Sequence, residues 1–80
     1  MLWMDDSDRP FDQKVKEAMK YFRQKYGREA TVCYIKPETL AIEGITDLPV
    51  IQGITLALRN NVLIDHLQLE AGDQLQPEAG

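Results

Sequence analysis

Apolar side chains recur along the first third of the chain with the spacing of an α-helix. They lie three or four positions apart and so form one stripe at 3.6 residues per turn, made of Phe11, Val15, Ala18, Phe22 and Tyr26. Asp8 is a suitable N-cap, Pro10 suits a first helical turn, and Gly27 suits a left-handed C-cap. The pattern predicts an amphipathic helix over residues 10–26.

Three later segments have the composition or the alternation of β-strands. Residues 30–35 are β-branched and aromatic, residues 54–59 alternate apolar and polar positions, and residues 63–70 alternate again. Asn60-Asn61 lies between the last two, and asparagine tolerates the positive φ of a tight turn. These two strands are therefore predicted to form a hairpin.

The segment between the first and second strands is ambiguous. Pro37 suits the opening position of a short helical turn that reaches Leu40. Gly44 and Pro49 interrupt the pattern further on, and we interpret residues 40–50 as a loop that pairs briefly around Ala41-Ile42.

The predicted elements make one small α+β domain between two polar segments. One amphipathic helix packs on a three-stranded antiparallel sheet, in the chain order α-β-β-β, to give two layers. The domain spans residues 10–70, and residues 71–80 form a disordered tail. Residues 1–9 form an acidic flexible lead-in, and the alternative is that Leu2 and Trp3 fold back onto the domain. No segment has the length and apolar character of a membrane span or a secretory signal, so we expect a cytoplasmic protein with no membrane partner.

The sheet face away from the helix is expected to be partly apolar. Strand alternation directs either Thr31, Cys33 and Ile35 or Val32 and Tyr34 to that face. A chain of 80 residues buries only about 60% of its unfolded surface, and its single cysteine cannot form an internal disulfide. The leftover apolar surface predicts a protein partner or a homodimer.

Charge divides the chain, which has a net charge of −4, into opposing regions. Residues 9–36 hold eight basic and three acidic side chains, a net +5, whereas residues 37–80 have a net −6. On the predicted helix, Lys16, Lys20 and Arg23 share one sector away from the apolar stripe. The pattern favours a solvated face that keeps the protein soluble, and the functional alternative is a docking face for an acidic partner or for phosphate. The pI of about 4.8 disfavours nucleic acid.

Few residues in the chain carry reactive chemistry. Asp65 and His66 are adjacent, but neighbouring strand residues point to opposite faces, so the two side chains are not naturally paired. Cys33 lies in the middle of a strand without positive neighbours, which favours a buried, inert thiol over a reactive one. We predict no catalytic residue, no cofactor and no metal site, and an enzyme built around Asp65, His66 and Tyr34 is the least favoured function.

The order of several short motifs resembles small bacterial α+β proteins of unknown function. The resemblance covers about residues 20–69 and is carried by Tyr26-Gly27, Thr31-Val32-Cys33-Tyr34-Ile35-Lys36-Pro37, Gly53-Ile54, Val62-Leu63 and His66-Leu67. It implies a bacterial, cytoplasmic protein in which a helix precedes a strand-Pro segment and a short C-terminal hairpin. Ile64 stands where proline is expected in that pattern.

The sequence thus predicts a small non-enzymatic protein-interaction module that docks a protein or a second copy of itself through its sheet or its basic helix. Lys16, Lys20, Arg23 and Tyr34 are the candidate partner-binding residues. The alternative is a small nucleic-acid-associated protein that uses the basic helix face. Binding that survives moderate salt indicates the first function, and binding that weakens steeply with salt indicates the second.

Overall fold

The computed structural model describes residues 1–71, which form an α+β structure with one long helix and a four-stranded sheet. The elements follow in the order β1 (Leu2–Met4), α1 (Phe11–Tyr26), β2 (Val32–Ile35), α2 (Pro37–Ile42), β3 (Thr55–Leu58) and β4 (His66–Glu70). In the sheet, neighbouring strands follow the order β1-β4-β2-β3. The α+β class with one main helix is confirmed, whereas the three-stranded antiparallel sheet in α-β-β-β order is wrong.

The sheet is mixed rather than antiparallel. β4 pairs antiparallel with both β1 and β2, whereas β3 lies parallel to β2 with Leu56 opposite Cys33. Parallel neighbours need a crossover connection of about a dozen residues or more, and residues 36–54, which include α2, provide it. The hairpin predicted at Asn60-Asn61 is therefore wrong, because β2 lies between β3 and β4.

β1 is formed by residues that the sequence analysis assigned to a flexible lead-in. The Met1 ammonium donates a hydrogen bond to the Leu69 carbonyl, and the Leu69 N–H donates to the Met1 carbonyl, both at 2.7 Å. The Trp3 ring stacks on Tyr21 of α1, with 4.6 Å between the ring centroids. Pairing with β4 and packing on α1 therefore hold residues 2–4 as a strand in spite of their acidic neighbours.

α1 closely follows the predicted helix. It begins after Pro10, which occupies the N-cap position that the sequence analysis gave to Asp8. It ends at Gly27, whose φ of 72° is left-handed and whose N–H donates to the Arg23 carbonyl at 2.8 Å. The first four residues of the apolar stripe are buried, and the fifth, Tyr26, lies at the exposed end with its ring 4.6 Å from that of Phe22.

Both helices cover the same face of the sheet, which we refer to as the covered face. The β2 and β4 side chains on this face are fully or almost fully buried and share one core with α1 and α2: Cys33, Ile35, Leu67 and Leu69. α2 has Pro37 at its start and contributes Leu40 to that core. Ala41 and Ile42 are helical, so the brief strand pairing expected there is wrong.

Two further expectations concern the C-terminal tail and a membrane span. The disordered tail expected over residues 71–80 lies, except for Ala71, outside the described residues, and Ala71 is buried in the core. Within residues 1–71, no helix has the length and apolar character needed to cross a membrane.

Candidate functional site

The three basic residues expected to form a docking face lie on the outer side of α1. Lys16, Lys20 and Arg23 are all exposed. Lys16 Nζ lies 3.9 Å from a carboxylate oxygen of Asp12, and Arg23 Nε lies 3.3 Å from one of Glu29. Exposed ion pairs of this kind add little stability. They nevertheless offset part of the positive charge that this face offers to an anionic ligand.

Tyr34 lies on the sheet face opposite the helices, so the structure does not bring it together with the basic residues of α1. The guanidinium carbon of Arg59 stands 3.5 Å from the centroid of the Tyr34 ring. Glu70 accepts a 3.0 Å hydrogen bond from Gln68 Nε2 and lies 3.7 Å from Arg59 Nη1. We refer to these four side chains as the open-face cluster.

The open-face cluster makes the uncovered face more polar than the sequence analysis expected. Of the two sets of residues considered for this face, Val32 and Tyr34 point there, whereas Cys33 belongs to the core. The exposed apolar side chains on this face are those of Leu2 and Met4, on the outer strand β1. Polar groups therefore cover the centre of the uncovered face, and apolar groups lie at its margin.

Asp65 and His66 do not form an acid–base pair. The Asp65 backbone has a φ of 62°, and its N–H donates to Thr39 Oγ1 at 3.1 Å. His66 Nδ1 lies 2.8 Å from the Ile64 carbonyl oxygen, a distance at which Nδ1–H donates. Within residues 1–71 there is no group of three or more His, Cys, Asp or Glu side chains that could hold a metal ion.

Cys33 lies in the middle of the core. Burial raises the pKa of its thiol to about 12. Because the thiolate is the nucleophile and the metal ligand, this side chain is held in its unreactive form at neutral pH.

An acidic pocket of about 300 Å³ lies beside the turn from β1 to α1. It is lined by Asp6, Ser7, Asp8, Lys14, Ile42, Glu43 and Asp65. Lys14 Nζ donates a 2.6 Å hydrogen bond to Glu43, and only 5% and 16% of these two side chains are exposed. Just before the pocket, hydrogen bonds from Ser7 outweigh burial and lower the pKa of Asp5. Lys14 is thus committed to an ion pair that joins α1 to the C-terminal end of α2.

The outer edge of β3 is a surface that the sequence analysis did not identify. The Thr55 N–H donates to the carbonyl of Thr31, just before β2, at 3.0 Å, and the Arg59 N–H donates to the Ile35 carbonyl at 2.9 Å. In a parallel pair, the backbone groups of every second residue point to the same neighbouring strand. The N–H and C=O groups of Leu56 and Leu58 therefore point away from β2. Among residues 1–71, β3 is the last strand on this side of the sheet, so these groups lie at a free edge.

An apolar groove of about 290 Å³ lies beside this strand. It is lined by Leu48, Pro49, Val50, Ile51, Ile54, Thr55 and Leu56. Val50 is 97% exposed, and Leu58 is 51% exposed. We refer to the free side of β3 together with this groove as the β3 edge.

The β3 edge lacks the usual protection of an edge strand. Charged side chains, proline or a bulge commonly block further pairing at such edges. β3 itself has no charged residue and no proline, and its regular pairing with β2 leaves no bulge. The sequence signal for this edge was the segment over residues 48–58, which has no charged residue and is bounded by Asp47 and Arg59.

Comparison with known proteins gives no relative: no family model, no curated protein and no solved structure matches this chain. The resemblance to small bacterial α+β proteins therefore stays a prediction. The geometry and chemistry of the β3 edge are what support a functional interpretation.

Proposed function

We propose that this chain is a small non-enzymatic protein-interaction module that associates with itself through its sheet. The observation that carries the proposal is the β3 edge, where unpaired backbone groups, an uncharged strand and an apolar groove lie side by side. A row of unpaired backbone groups is a template for another strand. Covering this edge also removes the exposed Leu58 and Val50 side chains from water.

The contacts of Asp65, His66 and Tyr34 bear on the enzyme alternative. The backbone N–H of Asp65 donates to Thr39 Oγ1, His66 Nδ1–H donates to the Ile64 carbonyl, and Tyr34 lies under Arg59. None of these contacts places a base beside a nucleophile, which general acid–base or covalent catalysis requires.

The charge distribution predicts different salt dependences for association through this edge and for binding through α1. Two copies each carry a net charge of −4, but charges farther apart than about 8 Å are largely screened at physiological ionic strength. β3 itself brings no charge to the contact. Self-association should therefore be insensitive to added salt, whereas binding of nucleic acid through Lys16, Lys20 and Arg23 would weaken steeply.

Sedimentation velocity over a range of chain concentrations tests the proposal. We expect a sedimentation coefficient that rises with concentration for the native chain. Leu58→Lys places a charge at the β3 edge and should raise the dissociation constant about tenfold or more, which corresponds to about 1.4 kcal/mol. Ile42→Lys is the matched control, because Ile42 is 63% exposed at the end of α2 and the substitution makes the same charge change.

The outcomes separate clearly. Loss of association in Leu58→Lys alone supports the proposal, and it cannot arise from net charge, because the substitution reduces the repulsion between copies. A native chain that stays monomeric at every concentration contradicts the proposal. Equal weakening by Leu58→Lys and Ile42→Lys contradicts the role of the β3 edge.

A further inference from the structure

We infer that two copies of this chain pair through their β3 strands, antiparallel, about a two-fold axis at Ala57, which joins the two sheets into one. The inference rests on the proposed function, and it names the occupant of the β3 edge, the register and the side chains in contact. A two-fold contact closes on itself, so it makes a dimer rather than a fibre.

The direction of the backbone groups selects this register. In an antiparallel pair, residues that face each other alternate between hydrogen-bonded and non-hydrogen-bonded pairs. With the axis at Ala57, Leu56 of each copy faces Leu58 of the other as a hydrogen-bonded pair. These are the residues whose N–H and C=O groups point outward, so every outward group within β3 gains a partner.

Neighbouring registers satisfy fewer groups. A shift of the axis to Leu56 makes Leu58 face Ile54, whose N–H already donates to the Ile51 carbonyl in a tight turn. A shift of the axis to Leu58 makes Leu56 face Asn60, which lies beyond the end of β3. The axis at Ala57 is therefore the arrangement that confines all pairing to the strand.

The side chains also fit a second copy. Leu56 and Leu58 point to the covered-face side of the sheet, so Leu58 of one copy comes beside Leu56 and the groove of the other. Leu58 is half exposed in the single chain and gains apolar contacts there. The nearest charged residue, Arg59, faces Thr55 of the other copy, so no like charges meet.

The extent of the contact indicates a dimer that dissociates on dilution. A strand of four residues is about 13 Å long, and stable complexes typically bury about 800 Å² per partner. Strand pairing together with the groove is therefore expected to bury less surface per partner than a typical stable complex does. An extended peptide of another protein is the competing occupant, and it would lack the two-fold match between Leu56 and Leu58.

Disulfide trapping tests the register directly. Ala57 would face Ala57 of the other copy as a non-hydrogen-bonded pair with about 4.5 Å between Cα atoms, a distance that a disulfide spans. We expect Ala57→Cys to form a covalent dimer as its main product under mild oxidation. Thr55→Cys is the matched control on the same strand and face, because its two copies lie about 13 Å apart along the strands. The native Cys33 is buried and remains in both variants.

Each result bears on a different claim. A covalent dimer of Ala57→Cys that is lost when Leu58→Lys is added, with little product from Thr55→Cys, supports the register. Equal products from the two cysteine variants, or none from Ala57→Cys while the native chain still dimerises, overturn the register and leave the proposed function standing. A native chain that is monomeric in sedimentation overturns both.

Discussion

The two faces of the sheet differ in how their side chains are kept from exposing apolar surface to water. On the covered face, two helices bury Cys33, Ile35, Leu67 and Leu69 in one core. On the uncovered face, no helix lies over the strands in the described part of the chain, and the open-face cluster fills the centre with linked polar groups. The centre of the uncovered face is therefore suited to contact with water, and the apolar surface beside β3 lies at the edge of the sheet.

The two edges of the sheet differ in length and in charge. β1 has three residues and is followed at once by Asp5 and Asp6, and a short strand beside charged residues is a usual protection of a sheet edge. β3 has four residues, no charge and an apolar groove beside it. Association is expected at the β3 edge, where the strand is longer and carries no charge.

The largest effect should separate the two faces at adjacent positions of β2. Ile35→Ala removes a fully buried side chain and should lower the free energy of unfolding by about 4 kcal/mol through lost burial and a cavity. Tyr34→Ala on the uncovered face should cost about 1 kcal/mol, because only the contact with Arg59 and partial burial are lost. Urea denaturation measures both values. Similar losses at the two positions would contradict the division of the sheet into a core face and a solvated face.

A somewhat smaller effect should come from the ion pair that joins the helices over the covered face. Lys14→Met leaves the largely buried Glu43 carboxylate without its cation and should lower the free energy of unfolding by about 3 kcal/mol. Adding Glu43→Gln to this variant should recover part of the loss, because the uncompensated charge is then gone. Thermal and urea denaturation of the single and double variants provide the measurement. A double variant as unstable as the sum of its single variants would show that the two side chains act independently.

The smallest effect concerns the open-face cluster. Arg59→Leu removes the stacked guanidinium and its ion pair with Glu70, and it should lower the free energy of unfolding by about 1 kcal/mol. Arg59→Lys, which keeps the charge but not the planar group, should recover only part of this. Denaturation at low and high salt distinguishes the two contributions, since the ion pair weakens with salt and the stacking contact does so less. A variant as stable as the native chain would contradict a stabilising role for the open-face cluster.

Local patterns in the sequence predicted the elements that local interactions determine. The stripe from Phe11 to Tyr26 and the glycine at position 27 predicted α1 almost to the residue. The alternation of residues 63–70 predicted β4, of which residues 66–70 are a strand. Pro37 indicated the start of α2, because proline at the first helical position loses no hydrogen bond.

The order of the strands could not be predicted in this way. Asn60-Asn61 has the chemistry of a tight turn, but which strand lies beside β4 depends on contacts between distant parts of the chain. β1 was missed because the acidic residues after Met4 dominate the composition of a short segment. The free edge of β3 follows from the strand order, so the candidate site could not be predicted without it. Tyr34 was correctly included among the residues of the uncovered face in one of two alternatives.

Amide hydrogen exchange at Leu56 and Leu58, measured as the chain concentration rises, tests the central claim most directly. In a single chain these two amides lie at a free edge, and in the dimer they are hydrogen-bonded. We expect their exchange to slow with concentration. On the opposite edge, Met1 and Asp5 bond to the β4 side, so the Leu2 and Met4 amides point outward and should exchange at a constant rate. Exchange at Leu56 and Leu58 that is equally fast at all concentrations would contradict association through the β3 edge.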